Sequence, residues 1–231
     1  MKLFILIAAL LLDACSGTKI AVDVGHSKLH PGATSARGLS EFEFNSRLAR
    51  IIAQELRETG ASPILIGIHG KMDDLHARTP RAKGAKFYLS IHHDSAKPQY
   101  FSTWQWQGRE ERYADEFSGF GLFVSRKNPY PEKSLQCASA IGARLIRAGF
   151  HPSTYHADRI LGEGREWADK AHGVYWFDNL VVLKTATQPA ALLEAGVIVN
   201  RSEEAMLSKD ETRRKIAAAV RTGLFDCKIL P

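Results

Sequence analysis

The sequence predicts a single α/β domain built on a mostly parallel, doubly wound sheet. Short β-branched runs alternate with stretches of helical periodicity, which is the pattern of strand–helix–strand units. The 231 residues suit one sizeable domain, and 45% hydrophobic with 24% charged residues is ordinary globular composition. No low-complexity tract, heptad run or internal repeat interrupts that reading.

The elements follow in order. Residues 19–24 form a short apolar run ended by Gly25 and read as the first strand. Residues 41–59 carry Phe44, Leu48, Ile51, Ile52 and Leu56 on one helical stripe, with Gly60 as the stop. Residues 63–68 read as a second strand, 73–83 as a helix containing Pro80, and 87–91 as a third strand. A polar and aromatic insertion spans 94–118. Residues 121–124 then read as a strand and 134–148 as a helix, followed by a second irregular stretch at 150–173. Residues 180–183 and 190–193 are two further strands, and 203–224 a closing helix.

The formal net charge is +6, which favours anionic partners without choosing among them. No clustered basic helix or recognition motif points to nucleic acid, so no nucleic-acid partner is expected. Residues 1–14 read as a signal peptide, with Lys2 ahead of an apolar run too short to span a bilayer. Leu12-Asp13-Ala14-Cys15 is similar to the lipobox of bacterial lipoproteins, although Asp13 stands where a small or apolar residue is usual. The expectation is a periplasmic or cell-envelope protein carrying a lipid anchor at Cys15, with residues 15–231 as the catalytic domain. Ser16 after that cysteine favours the outer membrane. The remaining Cys137 and Cys227 either pair or stay as buried thiols.

Polar residues fall where such a sheet binds ligands, at the carboxyl ends of its strands. His26 follows the first strand, His92 the third, and Glu194 the run 190–193, while Glu41 opens the first long helix. Two imidazoles and a carboxylate with an open position suit a catalytic Zn²⁺ site, and a further carboxylate in apolar surroundings suits a general base. Each residue also has a bland reading. His26 as a turn residue after Gly25, His92 as a hydrogen-bonded strand-end histidine and Glu41 as a helix cap are the alternatives, and Glu43 is the nearest rival ligand to Glu41, on another helix face. Trp104 and Trp106 either stack on sugar rings or anchor a loop.

At these residues the chain resembles the zinc-dependent N-acetylmuramoyl-L-alanine amidases of cell separation and sporulation. The matching segments are Ile20-Ala21-Val22-Asp23-Val24-Gly25-His26, Pro31-Gly32-Ala33 and Gly38-Leu39-Ser40-Glu41 with Asn45. Arg78, Leu89-Ser90-Ile91-His92, and Pro189 through Gly196 with Asn200 complete them in order. The resemblance implies a six-stranded sheet flanked by helices, the phosphorylase/hydrolase-like amidase fold. It implies Zn²⁺ held by His26, Glu41 and His92, catalysis by Glu194, and peptidoglycan as substrate. Val24 replaces a usual proline, Ser27 a glycine, and His93-Asp94 a small residue and asparagine. Residues 94–118 and 150–173 lack a match and read as substrate surface, regulatory cover or partner contact. The alternatives are an exported antibacterial amidase toxin and a non-catalytic peptidoglycan-binding or regulatory relative.

Overall fold

The computed structural model describes residues 17–158 and 163–231. The expected signal peptide and Cys15 lie outside the described residues. Among the described residues nine strands form: β1 (Lys19–Val24), β2 (Ser62–Ile66), β3 (Phe87–Asp94), β4 (Ser102–Trp106), β5 (Arg109–Tyr113), β6 (Gly121–Val124), β7 (Trp167–Asp169), β8 (Val174–Trp176) and β9 (Ala190–Val197). The helices are α1 (Glu41–Glu58), α2 (Pro131–Arg147), α3 (Val181–Thr185), α4 (Arg201–Leu207) and α5 (Asp210–Asp226).

The main sheet has seven strands in the order β2-β1-β3-β9-β6-β8-β7, one more than the resemblance implied. Neighbours pair in parallel except β6 with β9 and β7 with β8. Alternating side chains send Ile20, Val22, Leu89, Ile91 and Leu193 to one face, where Leu48 and Ile52 of α1 and Ile216 and Val220 of α5 cover them. The other face collects Ala21, Tyr88, Leu192, Phe123 and Tyr175 beneath Val182 and Leu183 of α3. Among the described residues no helix is long and apolar enough to cross a membrane.

Several expectations are corrected. The helix expected over 73–83 is two 3₁₀ turns, Leu75–Ala77 and Thr79–Ala82. Pro80 cannot donate a helical hydrogen bond, and Arg78 between the turns is drawn into the core. The strand expected over 180–183 is the start of α3, because a four-residue apolar run has no period that separates buried strand from buried helix. The closing helix is split into α4 and α5. Asn200 caps α4 through Ser202 and Glu203 amides, and Lys209 precedes α5. The insertion at 94–118 contains the β4–β5 hairpin, and the stretch at 150–173 contains β7. The strand β8 was not anticipated.

Cys137 of α2 and Cys227, just past α5, are joined in a disulfide with Cα atoms 5.1 Å apart. Closing a chain segment of sequence separation 90 restricts the unfolded ensemble. Cys137→Ser is therefore expected to lower stability by about 2–5 kcal/mol in urea unfolding. Reductant should shift the wild-type midpoint in the same direction and leave the variant's midpoint in place. An unmoved wild-type midpoint under reduction contradicts a stabilising cross-link.

Candidate metal centre and active site

Adjacent parallel strands end on one edge, so β1, β3 and β9 deliver their carboxyl termini side by side. His92 and Glu194 are cross-strand partners there. His26 lies two residues past β1 with φ 67°, a left-handed conformation unusual for a residue with a side chain. That geometry is held from below by Arg78, 1% exposed. Its Nη2 donates to the carbonyls of His26 and Met72, each at 2.6 Å, and its Nη1 to the Val24 carbonyl at 2.6 Å and Asp23 Oδ1 at 2.7 Å. Ser90 Oγ donates to the other Asp23 oxygen at 2.8 Å. The buried guanidinium is thus paired with one carboxylate and three carbonyls through its two terminal nitrogens, and it fixes the loop that presents His26.

Glu41 is the hub. Capping of α1 falls to Ser40, whose hydroxyl accepts from the Glu43 amide while the Glu43 side chain reaches back. This division leaves Glu41 free to turn inward and consigns Glu43 to the helix end. His26 Nε2 lies 2.9 Å from Glu41 Oε2, and His92 Nδ1 lies 3.0 Å from Glu41 Oε1. One helical turn on, Asn45 Nδ2 donates to Glu41 Oε1 and to the Gly25 carbonyl, both at 3.2 Å. The Ala33 amide adds a bond to Glu41 Oε2 at 3.2 Å. Burial raises the proton affinity of Glu41, but its contacts with the two histidines outweigh burial and hold the carboxyl well below its usual range.

Two glycines are required by this closeness. A Cβ on Gly25 would stand 2.3 Å from the His92 ring, and one on Gly32 would stand 2.4 Å from Glu41 Oε2. Gly32 also takes φ 78°, which glycine adopts without strain. His26, Glu41 and His92 each offer a ligand atom within 4.8 Å of the others, an arrangement able to hold a metal ion. Metal–ligand distances of about 2.0–2.1 Å in a tetrahedron imply ligand separations of about 3.3 Å, inside the 4.8 Å within which these three atoms lie. The donor set therefore fits Zn²⁺.

Glu194 differs from Glu41 in having no imidazole or other cation within hydrogen-bond reach; Arg165 acts on it only from farther away. Its Oε2 is buried without a hydrogen-bond partner, and the residue as a whole stays partly open to solvent. Burial, then the charges of Asp94 and Glu41, push its carboxyl well above the ordinary range. A cavity of about 350 Å³ opens beside the two histidines, with Leu180, Val182 and Leu192 among its walls.

Sequence reasoning missed a neighbouring ionic cluster. His156 sits between Asp94 Oδ2 at 2.8 Å and Glu163 Oε2 at 3.0 Å, the former an ion contact rather than an aligned hydrogen bond. Burial opposes its charge, but the two carboxylates prevail and raise its pKa to about 9. The one sequence signal was Asp94 itself. Its neighbour His93 points the other way, buried with Nδ1 2.8 Å from Asn45 Oδ1, and burial pushes its pKa down to about 3. Trp104 and Trp106 are loop anchors. Trp104 Nε1 donates to the Ala36 carbonyl at 2.8 Å, and Arg37 lies over both rings.

Residues 20–226 match the N-acetylmuramoyl-L-alanine amidase family. The chain is 26% identical over 237 residues to a probable N-acetylmuramoyl-L-alanine amidase, AmiB, of Haemophilus influenzae, covering 89% of this chain and 51% of that protein. It therefore spans about half the length of that relative. It is 25% identical to a germination-specific N-acetylmuramoyl-L-alanine amidase of Bacillus subtilis, covering 91% and 79% of the two chains. The fold superposes on the amidase Ami1 of Mycobacterium smegmatis with a TM-score of 0.72 at 19% identity, covering 92% and 97%. The match over nearly all the described residues, with the site residues inside it, places the chain in the N-acetylmuramoyl-L-alanine amidase family.

Proposed function

We propose that the chain is a zinc-dependent N-acetylmuramoyl-L-alanine amidase that hydrolyses the amide between N-acetylmuramic acid and L-alanine in peptidoglycan. The observation that carries this reading is the contrast between two carboxylates at one strand edge. Glu41 is clasped by two imidazoles, and Glu194 stands beside them unpartnered with its proton affinity raised. Family membership supports the same reading.

His26, Glu41 and His92 would hold the zinc. When bound, Zn²⁺ lowers the pKa of water towards ~7 and polarises a carbonyl. Glu194 accepts a proton from the attacking water and returns it to the departing alanine nitrogen, so the C–N bond breaks with a neutral amine leaving. Arg78 orients the His26 loop and Asn45 the Glu41 carboxylate, the groups that would hold the metal. The products are a free stem peptide and a glycan without it. A non-catalytic relative has no use for an unpaired buried carboxylate next to an intact ligand set, which favours the enzyme.

The lipobox-like segment supports an envelope location with lipid on Cys15. Wild-type protein should then fractionate with membranes and Cys15→Ala should not. Recovery of the wild type wholly in the soluble periplasm rules the anchor out.

Chelation should abolish release of stem peptide from purified sacculi while far-ultraviolet circular dichroism stays nearly constant, and added Zn²⁺ should restore it. Hydrolysis by metal-free protein at the full rate eliminates the zinc assignment. His26→Ala and His92→Ala should each bind zinc well below stoichiometry.

Glu194→Ala separates binding from chemistry. It should keep zinc and bind sacculi, yet lose on the order of 10²–10⁴-fold in kcat. Glu41→Ala should lose zinc first. The opposite pattern, with Glu194→Ala zinc-free and Glu41→Ala loaded, exchanges the two roles.

A further inference from the structure

The β4–β5 hairpin lies within residues 94–118, where none of the motif segments named above falls, and among the described residues its outer backbone edges pair with no further strand. A two-residue turn, Gln107 and Gly108, joins the Trp106–Arg109 pair, so Arg109, Glu111 and Tyr113 exchange hydrogen bonds with β4. Glu110 and Arg112 consequently turn their N–H and C=O groups to the opposite edge. Ala114, next on that edge, shows where it points, because its N–H donates to the Val199 carbonyl at 2.9 Å. Among the described residues no backbone bond continues that ladder to Arg112 and Glu110.

Along this edge runs a cleft of about 400 Å³. Glu110, Glu111 and Arg112 line one side, with Phe101 beside them. Ala33, Thr34 and Ser35 line the other, and Ser95 lies at one end. The cleft adjoins segments that carry the metal centre: the amide of Ala33, one of its walls, donates to Glu41, and Ser95 follows β3, which bears His92. The edge is held firmly: Trp104, Trp106 and the Arg37 stack pin the hairpin to loop 33–39, and Arg37 is in turn paired with buried Glu204.

From this arrangement we infer that the free edge of β5 is the subsite for the stem peptide, which adds to it as an extended third strand through the backbones of Glu110 and Arg112. The inference rests on the amidase reading and assigns a surface to one half of its substrate. A bare, consecutive run of backbone donors and acceptors recognises a peptide main chain in preference to a sugar ring. Binding the stem beyond the first residue then supplies affinity without touching the reacting amide.

The test compares N-acetylmuramoyl dipeptide with N-acetylmuramoyl tetrapeptide as substrates. The wild type should favour the longer stem, chiefly through KM. Arg112→Pro deletes one outward N–H at an edge position where proline leaves the β4–β5 ladder intact, and should lower that preference roughly fivefold. Arg112→Ala keeps the N–H and should retain the preference. Equal loss in both variants, or a wild type indifferent to stem length, overturns strand addition. A second measurement is independent of turnover and of variant folding: free tetrapeptide at saturation should slow hydrogen exchange of the Glu110 and Arg112 amides in the wild type. Unchanged exchange at both amides overturns the proposal. If neither substrate releases peptide, it is the amidase reading that fails, and the exchange measurement still decides the peptide subsite.

Discussion

The site depends on one constraint: a carboxylate taken out of water must be matched. Glu41 is buried at the first turn of α1, and its two oxygens meet His26, His92, Asn45 and the Ala33 amide. An unmatched charge there would cost several kcal/mol even after relaxation. Each partner comes from a different segment, so satisfying this one group fixes the loop after β1, the end of β3 and the start of α1 together. The glycines at 25 and 32 follow from it, because no side chain fits once those groups have closed in.

The same device recurs around that edge. Arg78 is buried on Asp23 and three carbonyls and secures the His26 loop. Glu204 is buried on Ser35 and Arg37 and secures the loop before α1. Glu203 accepts from the Gly119 and Val197 amides and ties β9 to the loop before β6. The apolar core holds sheet to helix, whereas buried ions hold the loops. A charge with geometrically fixed partners positions a loop more narrowly than apolar packing does, since a displaced partner leaves a desolvated charge behind.

This division explains what was legible in the sequence. The strands at β1, β3 and β6, the helices α1 and α2, and the convergence of His26, Glu41, His92 and Glu194 all follow from local periodicity and from where a parallel sheet ends. Glu41 could be preferred over Glu43 by helix phase alone, and the capping role of Glu43 agrees. What was missed depends on distant partners. His156 meets Asp94 from a segment 62 positions on in sequence, and nothing near either residue announces the pairing. The α3 segment was mistaken for a strand because four apolar residues hold no period. The 3₁₀ turns replaced a helix because Arg78 is claimed by the core and Pro80 breaks the ladder. The tryptophans stay ambiguous in the sequence because Arg37, which lies over both rings, is distant from them in the chain.

The two carboxylates at the strand edge show why residue type alone cannot assign a role. Both are glutamates in apolar surroundings at the same rim, and burial acts on both in the same direction. The difference lies in what stands within hydrogen-bond reach. Imidazoles lower the proton affinity of Glu41 below its ordinary range, as a metal ligand requires, because a ligand must stay ionised. Glu194 has no such partner and feels the negative charges of Asp94 and Glu41, which raise its proton affinity as a proton carrier requires. Each environment also sustains the other. An ionised Glu41 is one reason Glu194 binds a proton readily, and loss of charge at Glu41 would weaken the base as well as the metal site. Under the proposed mechanism the two glutamates therefore act as a coupled pair, divided into ligand and base by two histidines that touch only one of them.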